Sequence, residues 1–186
     1  MISREEVYRA IGGAFRLAGR DRSGMTAFNV TTAGFVHSFA AIVLLAPFYL
    51  VLVLIEHAPS GAPLEHVLLV EGLSYLCGWL AFPLLLIPLC RLLDLGQQYV
   101  PYVVAYNWSQ VVLMSLWLPL AALLASGILG HAPGIVAGVA GFAAAYYYLW
   151  FVTRTALKTS GSIAFGIAVV EYLSGLLIHT LISRLF

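Results

Sequence analysis

Five apolar runs, each long enough to cross a bilayer, constrain this chain more than any other feature. They lie at about 33–55, 67–89, 102–126, 134–153 and 163–183. Each holds about 20–25 residues, and at 1.5 Å per residue a helix of that length spans the roughly 30 Å hydrocarbon layer. Lipid offers no partner to an unpaired backbone group, so separate crossing segments have to be helices. Composition agrees: 62% of the 186 residues are apolar and 9% are charged, against roughly 45–50% and 25% in a soluble domain. A soluble globule of this length has too little interior to hide such a surface. The fold class expected is an all-α integral membrane protein, a five-helix transmembrane bundle. Turn and cap signals separate the runs: Ala58-Pro59-Ser60-Gly61, Gly96 with Pro101, His131-Ala132-Pro133-Gly134, and Thr159-Ser160-Gly161. Pro101 and Pro133 suit first helical turns. The runs are not copies of one another.

Residues 1–28 form a separate segment before the five-span domain of residues 29–186. The long apolar run that follows, with no small-residue cleavage site after it, argues against a secretory signal. The spacing predicts an amphipathic helix. Ser3 can cap it, and Glu6 three residues later completes a capping box. At 100° per residue Val7, Ile11, Ala14, Phe15 and Ala18 share one face, while Arg9, Arg16 and Arg20 share the other. That pattern fits a helix lying on the membrane surface with its cations toward anionic headgroups. A helix packed under the bundle by the same face is the alternative. Gly12 and Gly13 each weaken it by about 1 kcal/mol relative to alanine, and Asp21–Gly24 reads as a break.

Charge orients the chain. Five of the nine basic residues precede residue 23. With the N-terminus in the cytoplasm, Arg91, Arg154 and Lys158 also fall inside, and Arg184 alone falls outside. The positive-inside rule therefore selects N-terminus in and C-terminus out. Tyr146, Tyr147, Tyr148 and Trp150 then mark a cytoplasmic aromatic belt.

Ionisable groups inside spans point to function, because burying one in hydrocarbon costs roughly 2.5–3.5 kcal/mol even on the gentler scale. Glu171 lies near the middle of the fifth span, and Glu71 lies toward the outer end of the second. His179 shares the depth of Glu71, His37 sits near the inner end of the first span, and Asn107, Ser109 and Gln110 cluster in the third. Equal depth pairs Gln110 with Glu171 and Glu71 with His179. A protonated Glu171 bonded to Gln110 would be structural glue, with Asn107 one turn nearer the cytoplasm. A titrating Glu171 facing water would be a proton relay. Glue is the favoured expectation, since one acid without a second at matching depth makes a poor pathway. Pro47, Pro83, Pro88 and Pro119 interrupt three spans. Such breaks build midplane sites in transporters, and packed helices tolerate them too. Gly134, Gly138 and Gly141 form a small-residue ridge on the fourth span that permits a close helix contact, internal or between subunits.

Cys77 and Cys90 stand thirteen residues apart in one run, about 20 Å along a helix, so they cannot pair with each other. Neither they nor the histidines show metal-ligand spacing. Catalytic motifs and phosphate loops are missing, as is any basic, aromatic-rich loop of the kind that binds nucleic acid. No catalytic residue, metal, cofactor or nucleic-acid partner is expected.

A cytoplasmic N-terminal segment, five closely spaced spans, Tyr106-Asn107-Trp108-Ser109 in the third and the short polar turn from Arg154 to Gly161 together resemble the Yip-type (Ypt-interacting) membrane-protein family and its bacterial relatives. The resemblance implies membrane-trafficking partners in eukaryotic members, and it brings no catalytic residues. The function expected is non-enzymatic: organising or assembling other membrane components. The partners are the lipid bilayer and another membrane protein or a second copy, in the bacterial inner (plasma) membrane. The rival expectation is a small transporter or transporter subunit, proton-coupled through Glu171.

Overall fold

A computed structural model describes residues 2–57, 61 and 63–186. Among them the regular structure is helical throughout, and five helical stretches are long and apolar enough to cross a membrane. Helix α1 covers Arg4–Ala18, and a short 3-10 helix covers Arg22–Ala27. The first span has two pieces, α2 (Thr32–Ser38) and α3 (Ala40–His57). The others are α4 (Leu64–Leu92), α5 (Tyr99–Ala125), α6 (His131–Ala156) and α7 (Gly161–Leu185). The turn expected at residues 58–61 lies, apart from Gly61, outside the described residues.

The spans begin a few residues before the apolar stretches, and all but α5 also end a few residues after them, because helix ends tolerate interfacial polar residues. Ser160 Oγ accepts the Ile163 N–H to start α7. Gly130, at φ +67°, turns the chain into α6 in a conformation that other residues avoid. The first span breaks at Phe39, where the helix tightens: Phe39 N–H donates to the Val36 carbonyl at 3.3 Å, and Ser38 Oγ donates to the Phe35 carbonyl at 2.7 Å.

Helix α5 is the axis of the bundle. It packs on α1, α2, α3 and α6, while α4 packs mainly on α7. Residues 102–109 are buried without interruption. The core gathers around this half of α5, with Leu86 of α4, Val152 of α6 and Ala14 and Leu17 of α1. The ridge on α6 faces α5: a Cβ on Gly141 would collide with Leu120, and Gly134 and Gly138 lie over Leu124. That contact is internal to the chain.

Two of the proline breaks are accompanied by tyrosines. Pro47 has no N–H for the Val43 carbonyl, and the adjacent Ile42 carbonyl accepts the Tyr75 hydroxyl at 2.7 Å. Pro88 likewise deprives the Leu84 carbonyl, and the adjacent Pro83 carbonyl accepts the Tyr99 hydroxyl at 3.1 Å. Hydroxyls from neighbouring helices thus bond to backbone where the helical ladder is loosened.

Helix α1 departs from its helical-wheel reading. Its buried residues are Ala10, Gly13, Ala14 and Leu17, whereas Phe15 is exposed. The docking face is turned toward the small residues Ala10, Gly13 and Ala14, with Leu17 beside them and Val7 and Ile11 at its edge. Gly13 and Gly24 make the contact with the 3-10 helix. A Cβ on Gly13 would meet the Gly24 carbonyl oxygen at 2.7 Å and Ala27 Cβ at 2.8 Å. Tyr148, expected in an aromatic belt, instead turns inward and donates its hydroxyl to the Ala14 carbonyl at 3.0 Å. The capping box is half formed. The Glu6 N–H donates to Ser3 Oγ at 3.1 Å, but the Glu6 carboxyl leaves the helix to accept from Asn29 Nδ2 at 2.9 Å and to meet His37 Nδ1 at 3.0 Å. A contact with the first span takes the place of a local cap.

The two neighbouring glycines should therefore respond oppositely to alanine. Gly12 has open space around it, so Gly12→Ala should be neutral or stabilise by up to about 1 kcal/mol. Gly13→Ala forces two backbones apart and should cost about 1–3 kcal/mol. Thermal unfolding of the two solubilised variants gives the order, and equal melting temperatures would mean that α1 is not docked through Gly13.

Candidate functional site

Two polar clusters lie within the spans. The first centres on Glu71, which is buried in α4. Tyr49 of α3 donates its hydroxyl to Glu71 Oε2 at 2.8 Å. His179 Nε2 of α7 lies 3.1 Å from Glu71 Oε1, and His57 Nε2, at the end of α3, lies 3.4 Å from the same oxygen. His57 Nδ1 is held against the Val53 carbonyl. One carboxyl thus ties together three helices, and the depth pairing of Glu71 with His179 corresponds to a contact. No group of three ligand-type side chains fit to hold a metal occurs among the described residues.

The second cluster centres on Glu171 of α7. Its Oε1 accepts the Tyr106 hydroxyl of α5 at 2.9 Å, and Tyr146 of α6 lines a cavity beside the carboxyl. Gln110 does not bond to it, contrary to the depth pairing. Tyr106 stands one turn before Gln110 on α5, and its longer reach brings a hydroxyl to the carboxyl first. Asn107 belongs elsewhere: its Nδ2 donates to Ser38 Oγ at 2.8 Å, fully buried, and joins α5 to α2. The network expected around Glu171, Gln110, Asn107, Glu71 and His179 is therefore split: Glu71 meets His179, Glu171 meets Tyr106, Asn107 meets Ser38, and Gln110 joins none of these contacts.

Three cavities lie between the spans near these groups. One of about 390 Å³ lies between α3, α4 and α5 and is lined by Tyr49, Glu56, Tyr75 and Gln110. A second, of about 170 Å³, is lined by Ser74, Tyr106, Gln110 and Glu171. A third, of about 290 Å³, is lined by Gln110, Tyr146 and Glu171. Gln110 lines all three, and its side chain makes no hydrogen bond among the described residues. Ser74 Oγ and Glu171 Oε2 are buried without a partner. Unsatisfied polar atoms around a cavity are sites that water or a polar solute can fill.

Tyr49, His57 and Ser74 were not singled out from sequence, and Tyr106 and Tyr146 were singled out for the family resemblance and the aromatic belt, not for this site. The tyrosines did carry a signal, since a phenol well inside a span needs a partner for its hydroxyl. What the sequence withholds is which helix supplies that partner. The basic side chains Arg9, Arg16 and Arg20 form no ion pair with a carboxylate among the described residues; Arg20 instead lies over the Tyr147 ring, 5.1 Å from its centroid.

No family model matches the chain, and no curated protein or solved structure gives a significant match.

A double-mutant cycle tests the partner of Glu171. Tyr106→Phe and Glu171→Leu should couple by about 0.6–1.7 kcal/mol, the range for hydrogen bonds between spans. Gln110→Leu and Glu171→Leu should be additive. The reverse pattern, read from thermal or denaturant unfolding, would restore Gln110 as the partner.

Proposed function

We propose that this protein is a small proton-linked transporter, or a subunit of one, in which Glu171 carries the proton. The observation that supports this reading is the Glu171 carboxyl itself. One oxygen is held by Tyr106, the other is buried and unsatisfied, and the residue lines two cavities shared with Gln110. A carboxyl serving only as glue would have its hydrogen-bonding capacity filled by protein. A carrier needs a position where it can gain and lose a proton to water or solute. The second acid that a pathway requires is Glu71. Tyr49, bonded to Glu71, lines the same cavity as Gln110, so polar groups succeed one another from Glu71 to Glu171. Catalysis has no place in this scheme.

The reading includes the orientation that charge selects, N-terminus in the cytoplasm and C-terminus outside, and the bacterial inner membrane as location. Glu71, His57 and His179 then lie toward the outer face, and α1 lies at the cytoplasmic face with its exposed cations toward headgroups. A second reading, organising other membrane components as the resemblance to the Yip-type family suggests, is favoured by an apolar aromatic groove between α6 and α7. It is about 570 Å³ and is lined by Phe142, Trp150, Phe165 and Tyr172. A stable stoichiometric complex with a membrane partner would support that role.

Purified protein in vesicles should show proton-linked flux of a small solute. Glu171→Gln should abolish the flux while leaving thermal stability within about 1 kcal/mol, since an amide keeps size and hydrogen bonding. Flux that persists in Glu171→Gln, or its absence from the wild type across a solute panel, counts against the reading. Reporter fusions after Gly96 and Lys158 should report cytoplasm, and fusions at Gly61, Gly130 and Phe186 should report the outside. A cytoplasmic C-terminus would invert the pathway.

A further inference from the structure

A groove of about 490 Å³ opens where the end of α1 meets α5 and α6. Leu17 and Arg20 line it on the α1 side, Val112 and Leu116 on α5, and Tyr147 and Ala144 on α6. Tyr148, also in its wall, is bonded to the Ala14 carbonyl. The exposed Arg20 stands at the α1 end, the mouth of the groove, and Ala144 lies one turn before Tyr148 on α6. Most of the remaining lining is apolar, with the Ser115, Tyr147 and Tyr148 hydroxyls its polar groups, and both wall helices are long and apolar enough to cross a membrane.

The mouth is cationic. The Arg20 guanidinium lies over the Tyr147 ring and meets no carboxylate within salt-bridge distance among the described residues. The nearest acid in sequence, Asp21, is engaged elsewhere. Its Oδ1 accepts the Ser23 N–H at 2.9 Å, its Oδ2 accepts the Ser23 hydroxyl at 2.7 Å, and its charge interacts with Arg16. Arg20 also occupies the left-handed position that ends α1, at φ +64°, where glycine is the usual residue. An unpaired guanidinium at one end of an apolar slot matches a molecule with an anion at one end and hydrocarbon behind it.

We propose that this groove binds one anionic phospholipid, its phosphate on Arg20 and one acyl chain along Val112, Leu116 and Ala144. The bound lipid bridges α1 to the α5–α6 pair and so couples the N-terminal segment to the bundle. This site is separate from the Glu171 cavities and does not depend on what they carry.

The test uses the full-length protein, delipidated in detergent, with phosphatidylglycerol or phosphatidylcholine of identical chains added back. Lipid retention is read by native mass spectrometry, and stabilisation by thermal shift. Phosphatidylglycerol should be retained at one molecule per chain and should raise the melting temperature more than phosphatidylcholine does. Arg20→Gln should weaken its binding about fivefold, whereas Arg22→Gln, outside the groove, should leave it unchanged. Ala144→Trp, which fills the slot and leaves Arg20 in place, should remove the bound lipid. Equal retention of the two lipids overturns the proposal, as does undiminished binding in Ala144→Trp. An equal shift with inorganic phosphate alone would make Arg20 a simple anion site. A protein found to be dimeric that takes up no lipid would make the groove a contact between copies. If Arg20→Gln does not fold, the headgroup comparison and Ala144→Trp decide.

Discussion

A helix buried on every side needs partners on every side, and the stretch 102–109 of α5 sets that requirement for the whole bundle. Eight residues make more than two turns, so no face of this segment is left for lipid. The segment is also polar for its depth: Tyr102, Tyr106, Asn107 and Ser109 all need hydrogen-bond partners. Tyr102 meets Thr153 of α6 at 3.0 Å, Tyr106 meets Glu171 of α7, Asn107 meets Ser38 of α2, and Ser109 bonds back to the Ala105 carbonyl. Each interhelical bond goes to a different element. Shape alone is a weak guide between helices in lipid, because a leucine finds lipid tails as congenial as another leucine. Directional bonds from one central helix choose which neighbour stands where.

Much of the architecture was legible because the bilayer makes span length a hard constraint. The runs at 33–55 and 163–183 could be placed from hydropathy, and the structure lengthens them to Thr32–His57 and Gly161–Leu185. The face of α1 was legible only in part. A helical wheel ranks faces by apolarity, and it chose Val7, Ile11, Ala14, Phe15 and Ala18; Ala14 is buried and Val7 and Ile11 pack on the core, but Phe15 and Ala18 are exposed. Docking on another helix instead rewards smallness, so Ala10, Gly13 and Ala14 face inward. Gly13 counts as a weak point when the helix is considered alone, and becomes the contact point once Gly24 is opposite it.

The polar site was legible in half for a similar reason. Depth along a span can be counted, which brought Glu71 and His179 to one level, and they meet at 3.1 Å. Depth does not specify rotation about the helix axis, nor how far a side chain reaches. Gln110 matches Glu171 in depth, but Tyr106, a turn away, extends a phenol across the gap and takes the carboxyl oxygen. His57 escaped notice because it lies at the very end of the first span, where an interfacial histidine is unremarkable until Glu71 is found beside it.

The bundle is uneven along its length, and the unevenness places the candidate site. At the end where α1 docks, small residues, Tyr148 and the buried stretch of α5 leave a closed core. Past Ser109 the next residues of α5, Gln110 to Met114, are only partly buried, and the cavities open there. Native packing elsewhere makes such voids costly unless something occupies them. Of these, the 170 Å³ cavity walled by Ser74, Tyr106, Gln110 and Glu171 offers water the most polar partners. Each of the acids Glu71 and Glu171 is anchored on one oxygen by a tyrosine of a neighbouring helix. A tyrosine hydroxyl can donate to a carboxylate, and it can still act as an acceptor when the acid is protonated. Such an anchor holds the carboxyl in place through both protonation states, whereas a backbone N–H could bond only as a donor. That tolerance is what a proton-carrying site between packed helices requires.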